Sequence, residues 1–163
     1  MTFSDKFDNY SFNFFVNIPW HYIDFLLSVT GAGGEIGGGT AVETAKWGAN
    51  LALIDIHEGR LHETVDKLIS NGVQKDRIYS QVGDVTNIDV IKSFVAESVK
   101  KLGKINSLIN VVGVKRIKVL QNMSAADLDH CINGNIKSTL FMTQECLPHL
   151  KETKGNYSFE TAF

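Results

Sequence analysis

The strongest constraint on the fold is a glycine-rich turn at residues 30–37, which lies between a short apolar run and a helical pattern. The run at 25–29 predicts a strand, and apolar residues then recur at the spacing of one helix face, at Ile36, Ala41, Val42, Ala45 and Ala49. Glycines permit a positive φ and a close approach to a ligand, and the first helical turn offers unpaired N–H groups and a positive dipole end. The segment therefore predicts a site for the diphosphate of a cofactor, with a tight βα turn as the alternative.

A carboxylate follows the second predicted strand. The apolar run at 51–54 ends at Asp55, which lies 18 residues beyond Gly37. An acidic residue near this position binds the ribose hydroxyls of the adenosine in dinucleotide-binding folds. Because a carboxylate repels a 2′-phosphate, Asp55 favours NAD over NADP. A solvated aspartate at a tight turn is the alternative interpretation.

From Val29 to about Asn156 the chain resembles the classical type of the short-chain dehydrogenase/reductase family. Members carry Thr-Gly-x-x-x-Gly-x-Gly at the first turn, an Asp-Val pair against the adenine, and an Asn-Asn-Ala-Gly turn after the fourth strand, which this chain matches in part. The resemblance implies that the residues binding NAD are Thr30, Gly31, Gly33, Gly34, Ile36, Gly37, Asp55, Asp84, Val85, Asn110 and Gly113.

The same resemblance identifies one catalytic residue. The stretch 133–138 is similar to the family's Asn-x-x-Gly stretch, and Asn135 corresponds to the asparagine that holds a water in the proton relay of the family. The alternative is that Asn135 is a polar residue that bends a helix near Gly134.

One residue of the glycine turn departs from the family pattern. Glu35 stands where the family has its middle glycine, so a carboxylate is expected close to the pyrophosphate. Two like charges about 4 Å apart repel each other by roughly 1 to 4 kcal/mol for effective dielectric constants of 80 to 20. Glu35 therefore predicts weak NAD binding, unless the neighbouring glycines let the turn direct this side chain to solvent.

The acid–base pair of the family is missing from the sequence. No Tyr-x-x-x-Lys occurs, and Tyr157 is followed four residues later by Thr161. Hydride transfer needs a proton donor or acceptor with a pKa near the working pH. We therefore expect an NAD-dependent oxidoreductase of alcohols or carbonyls by ancestry that is truncated and catalytically incomplete as written. The alternative is a non-catalytic protein that binds a nucleotide or pairs with an intact relative.

Short apolar runs alternate with amphipathic helical patterns, which predicts an α/β, Rossmann-like, doubly wound parallel sheet. The resemblance implies the strand order 3-2-1-4-5 in an incomplete version of the fold. Helix stripes are predicted between Leu61 and a stop at residues 71–72, and between Asn87 and Gly103. A capping box at 124–127 opens a long helix, 124–150, in which Pro148 predicts a stop or kink. Family dimers use this helix, which implies a homo- or hetero-oligomer.

The composition changes abruptly at the N-terminus. Eight of the sixteen aromatic residues lie within residues 7–28, and this segment looks inserted relative to the family. We therefore divide the chain into an atypical N-terminal segment, 1–28, and a partial NAD-binding Rossmann domain, 29–163. Polar residues interrupt the aromatic segment well short of the roughly 20 apolar residues of a membrane span. It also lacks the basic region and clean apolar core of a secretory signal.

Charge and cysteine usage exclude several classes of function. A net charge of −2, with 21% charged residues, does not favour nucleic acid or an anionic membrane as a partner. The two cysteines are too few for a disulfide framework, and the five histidines show no ligand spacing, so we expect no metal. A reducing, cytoplasmic location is the natural expectation.

Overall fold

The computed structural model describes residues 25–159, which form a five-stranded sheet with helices on both faces. The main elements are β1 (Leu26–Thr30), α1 (Glu35–Ala45), β2 (Asn50–Asp55), α2 (Glu58–Ser70), β3 (Ile78–Val82), α3 (Ile88–Leu102), β4 (Ile105–Asn110), α4 (Ala125–Ile132), a π-helical turn (Asn133–Lys137), α5 (Ser138–Thr153) and β5 (Asn156–Phe159).

The strands pair in the order β3-β2-β1-β4-β5, and every pairing is parallel. This confirms the predicted Rossmann-like fold and strand order. The last residue of β1, Thr30, pairs with Ile54 on one side and with Asn110 on the other. Because parallel strands bring their carboxyl ends to one edge, the loops after β1, β2 and β4 meet where the strand order reverses, which is where such sheets bind ligands.

Two apolar layers hold the helices onto the sheet. On one face, α3 and α5 contribute Phe94, Ile91, Met142, Cys146 and Leu150, which pack against residues of β1, β2 and β4. On the other face, residues of α1 and α2 pack against Leu27, Val29, Leu51 and Leu53. Phe94 and Leu61 are fully buried, one in each layer.

The predicted ends of α3 and the predicted start of α4 agree with their caps. The Asn87 side chain accepts a hydrogen bond from the Asp89 N–H at 2.9 Å, and Gly103 ends α3 with φ of 93°. Such caps satisfy N–H groups that have no partner within the helix. At the start of α4, Ser124 and Asp127 form the predicted capping box.

Helix α1 lies unusually close to the turn that precedes it. A Cβ on Gly37 would come within 2.8 Å of the carbonyl carbon of Gly31, and nearer still to its oxygen. A Cβ on Gly38 would come within 2.9 Å of Thr64 Oγ1, which itself donates to the Ala32 carbonyl at 2.9 Å. Glycines in a helix cost about 1 kcal/mol each relative to alanine. Their role here is to let the turn, α1 and α2 pack together.

The long helix differs in two respects from its prediction over 124–150. It runs without interruption from Ala125 to Thr153, so Pro148 does not stop it. It also changes hydrogen-bond pattern at the π-helical turn, which inserts extra backbone between α4 and α5.

The division of the chain at residue 28 falls inside a strand, because β1 begins at Leu26. The other features predicted for the N-terminal segment lie in residues 1–24, outside the described residues, and the last residues of the tail, 160–163, lie outside them as well.

Candidate functional site

A cleft of ≈ 520 Å³ opens at the carboxyl edge of the sheet, between the loops that follow β1, β2, β3 and β4. Eight of the residues predicted to bind NAD line it, namely Gly31, Gly34, Ile36, Gly37, Asp55, Asp84, Val85 and Gly113. The cleft thus combines a glycine turn, a buried carboxylate and apolar side chains in one cavity.

The glycine turn forms one end of this cleft. Gly31 has φ of 67°, a left-handed conformation that glycine adopts without strain, and its carbonyl accepts the Gly34 N–H at 3.0 Å. Glu35 is the first residue of α1, and its exposed side chain belongs to the lining. The N–H groups of the first helical turn have no partner within the helix and are available here. The Glu35 carboxylate would compete with a bound anion for these groups.

Asp55 is held rigidly at the end of β2. Its Oδ2 accepts the Gly33 N–H at 2.9 Å and its Oδ1 accepts the His57 N–H at 2.8 Å, while the residue is only 9% exposed. This arrangement is not that of a solvated aspartate. Each carboxylate oxygen has a second lone pair, so Asp55 can still accept hydrogen bonds from hydroxyls in the cleft.

Four of the predicted residues lie behind the walls of the cleft rather than in its lining: Thr30, Gly33, Asn110 and Asn135. Thr30 Oγ1 accepts the Val111 N–H at 3.1 Å, which ties the end of β1 to the loop after β4. Asn110 Nδ2 donates to Thr143 Oγ1 at 3.2 Å, and its buried Oδ1 has no partner among the described residues.

Asn135 connects the π-helical turn to the wall of the cleft. Its Oδ1 accepts the Val114 N–H at 2.9 Å, and its Nδ2 donates to the carbonyls of Val114 and Cys131, both at 2.8 Å. Gly134 leaves room for this contact, since a Cβ there would collide with the Val114 side chain. Both Nδ2 protons are therefore used within the protein, and the side chain acts here on the backbone that lines the cleft.

The loop beyond Val114 is fixed by charge. Lys118 Nζ donates to both oxygens of Asp127, at 2.9 and 2.7 Å, and Ser124 donates to the same carboxylate. These hydrogen bonds hold the pKa of Asp127 well below its usual range. The loop is thereby anchored to the first turn of α4.

Sequence reasoning missed several lining residues, including His57, Arg60, His130 and Asn133. His57 and Arg60 come soon after the second predicted strand, so the rule that ligands bind at the carboxyl ends of strands is a signal that could have found them. His130 and Asn133 reach the cleft from the long helix, and no local pattern marks them.

Within residues 25–159, no three His, Cys, Asp or Glu side chains lie close enough together to hold a metal ion. Cys131 and Cys146 are free thiols, and burial raises the pKa of Cys146 to about 12, which keeps it protonated. None of the helices in that range is long and apolar enough to cross a membrane.

Comparisons with known proteins give a consistent family. A sequence model described as short chain dehydrogenase matches residues 26–157. The chain is 32% identical over 126 residues to the (2S)-[(R)-hydroxy(phenyl)methyl]succinyl-CoA dehydrogenase subunit BbsD of Thauera aromatica, covering 77% of this chain and 50% of that protein. It is 32% identical over 130 residues to the 3-oxoacyl-[acyl-carrier-protein] reductase FabG of Thermotoga maritima, covering 78% and 51%.

The fold is similar to that of a solved short-chain dehydrogenase/reductase of unknown function from Caenorhabditis elegans, crystallised with its cofactor. The TM-score is 0.79 at 26% identity, and the match covers 83% of this chain and 52% of that one. The chain therefore spans about half the length of the curated relatives and the solved structure that it matches.

Proposed function

The chain belongs to the short-chain dehydrogenase/reductase family of oxidoreductases, and we propose that it supplies the nucleotide-binding part of an NAD-dependent oxidoreductase acting on an alcohol or a carbonyl. The observation that carries this proposal is the position of Asp55, a buried carboxylate held by two backbone amides and facing the cleft. Family membership supports a nicotinamide dinucleotide as the cofactor, and Asp55 favours NAD within that class.

The described residues fit the two halves of such a cofactor unequally. At the adenosine end, Asp55 offers acceptors to ribose hydroxyls and Val85 offers a buried apolar surface. At the diphosphate end, the glycine turn offers N–H groups, but Glu35 places a negative charge beside them. We infer that affinity comes mainly from the adenosine half.

We expect this chain to bind NADH at least tenfold more tightly than NADPH, because a 2′-phosphate would lie beside the Asp55 carboxylate. Repulsion of 1.4 kcal/mol accounts for a factor of ten, and this is within the roughly 1 to 4 kcal/mol expected at about 4 Å. Fluorescence titration of the two reduced cofactors measures the ratio. Asp55→Asn should reduce the ratio of NADH affinity to NADPH affinity. Asp66→Asn, the same change on the exposed surface of α2, should leave this ratio unchanged. Tighter binding of NADPH by the unaltered chain would overturn the assignment.

We further propose that these 163 residues are catalytically incomplete. Hydride transfer between a nicotinamide and a carbonyl requires a proton donor of matched pKa, which the family takes from a tyrosine beside a lysine. The sequence contains no Tyr-x-x-x-Lys, and among residues 25–159 neither a tyrosine nor a lysine lines the cleft.

A partner surface is proposed on the long helix. Leu128, Ile136 and Leu140 are each between 55% and 61% exposed, and Leu147 is more than one-third exposed on the same helix. An apolar surface of this kind favours association, here with a second copy of the chain or an intact relative. Tyr157 and Phe159 are exposed as well, and they lie on β5, which is an edge strand of the sheet within residues 25–159.

The purified chain should elute from a sizing column as an oligomer and should produce no NADH absorbance from NAD and simple secondary alcohols. Leu140→Lys should shift elution toward the monomer, because it places a charge in the apolar surface. Ile88→Lys, at an exposed apolar position on α3, should leave elution unchanged. A monodisperse monomer that reduces NAD would contradict both the proposed association and the proposed incompleteness.

A further inference from the structure

The lining of the cleft is acidic, although a dinucleotide carries negative charges of its own. Three carboxylates, Glu35, Asp55 and Asp84, belong to it, and Arg60 is the one Lys or Arg among the described lining residues. Arg60 lies beside Asp55, since a Cβ on Gly33 would come within 2.9 Å of Arg60 Cβ and 3.1 Å of Asp55 Cγ. Arg60 therefore lies beside both the Asp55 carboxylate and Gly33 of the glycine turn.

Glu35 acts on the diphosphate position in two ways. Its carboxylate repels a phosphate placed against the turn. Glu35 is also the first residue of α1, so its carboxylate interacts favourably with the positive end of the helix dipole. A phosphate bound at the same end of the helix would compete with this carboxylate for that interaction. Gly34 and Gly37, which flank this position, contribute no side chain that offsets the charge.

The adenosine end does not depend on the phosphate. Asp55 keeps lone pairs for ribose hydroxyls, and Ile54, Ile56 and Val85 supply apolar lining for a base. These groups recognise a nucleoside whether or not a diphosphate follows it.

We propose that the cleft of this chain selects an uncharged adenine nucleoside over nucleoside diphosphates, with Glu35 as the residue that sets this selectivity. The inference rests on the proposed function, because it takes the cleft to be an adenine-nucleotide site. It assigns the favourable contacts of the cleft with a dinucleotide to the adenosine portion of that ligand.

Isothermal titration with adenosine and with ADP tests the proposal on the full chain, on Glu35→Gln and on Glu58→Gln. Glu58 is the matched control, because it is exposed and is the first residue of α2, as Glu35 is of α1, but it does not line the cleft. The unaltered chain should bind adenosine at least as tightly as ADP. Glu35→Gln should bind ADP about tenfold more tightly and adenosine within twofold of the unaltered chain, while Glu58→Gln should change neither.

The outcomes separate this inference from the proposed function. If neither ligand binds any of the three proteins, the cleft is not an adenine-nucleotide site and the proposed function fails with the inference. If the unaltered chain prefers ADP and Glu35→Gln leaves that preference unchanged, only the inference fails. If ADP binds tightly only with added magnesium chloride and Glu35→Gln abolishes that dependence, a metal bridge replaces the proposed selectivity, since Mg²⁺ is commonly held by one or two carboxylates and phosphate oxygens.

Discussion

Replacing Gly37 by alanine is expected to lower the free energy of unfolding by about 3 kcal/mol, although alanine is the better helix former. The added Cβ would lie within 2.8 Å of the Gly31 carbonyl carbon and nearer to its oxygen, and both atoms are backbone that cannot rotate away. Overpacking of this kind costs about 1 to 3 kcal/mol and occasionally more. Urea denaturation followed by circular dichroism measures the change.

Gly59 provides the matched control, because it is also a helical glycine but a Cβ there would meet nothing within 4 Å. Gly59→Ala should raise the free energy of unfolding by about 0.5 to 1 kcal/mol, the ordinary gain of alanine over glycine in a helix. If both variants are equally stable, α1 does not pack against the turn as described. The shape of the diphosphate end of the cleft would then be wrong as well.

Much of the fold follows from local patterns because the signals are local in origin. The stripe that begins after Asn87 and ends at Gly103 corresponds to α3, since the cap and the left-handed glycine act within a few residues of the chain. The strand order came instead from resemblance to a family, and the parallel sheet confirms it. The long helix continues beyond its predicted end at residue 150 to Thr153, because packing of Cys146 and Leu150 against the sheet is a tertiary effect.

The site was harder to predict than the fold, because a motif identifies which residues matter but not which way they face. Asp55 and Gly37 line the cleft, whereas Gly33 lies behind its wall and uses its N–H to hold Asp55. His130 and Asn133 reach the cleft only because α4 and the π-helical turn pack against the loop after β4. Contacts between segments so far apart leave no periodic trace in the sequence.

Glu35 illustrates how a departure from a family pattern informs more than a match. Gly31 and Gly37 give the turn its tight shape, because Gly31 has a positive φ and Gly37 leaves no room for a Cβ. The charge at that position is nevertheless opposite to what a diphosphate needs. Shape and charge are thus separate properties of the turn, and a substitution at Glu35 tests the second without altering the first.

Asn135→Asp is expected to lower the free energy of unfolding by about 3 kcal/mol and to weaken adenosine binding. The change keeps the size of the side chain but removes the two protons that Nδ2 donates to the carbonyls of Val114 and Cys131. It removes both hydrogen bonds and places a charge against the two carbonyl oxygens, and an acceptor left unsatisfied costs about 1 to 3 kcal/mol. We call the hydrogen bonds between the Asn135 side chain and the backbone of Val114 the Asn135 clamp. Because Val114 lines the cleft, loss of this clamp should also loosen the wall that a nucleoside contacts.

Asn122→Asp is the matched control for this clamp, since Asn122 is exposed in the loop between β4 and α4 and the chemical change is identical. Urea denaturation and adenosine titration should give values close to those of the unaltered chain for Asn122→Asp and reduced values for Asn135→Asp. A stable Asn135→Asp variant with unchanged adenosine affinity would contradict the clamp. Reduced stability with unchanged adenosine affinity would show that Asn135 stabilises the long helix but does not position the cleft wall. The loop after β4 would then be held in place by other contacts, such as the Lys118–Asp127 ion pair and the Thr30–Val111 hydrogen bond.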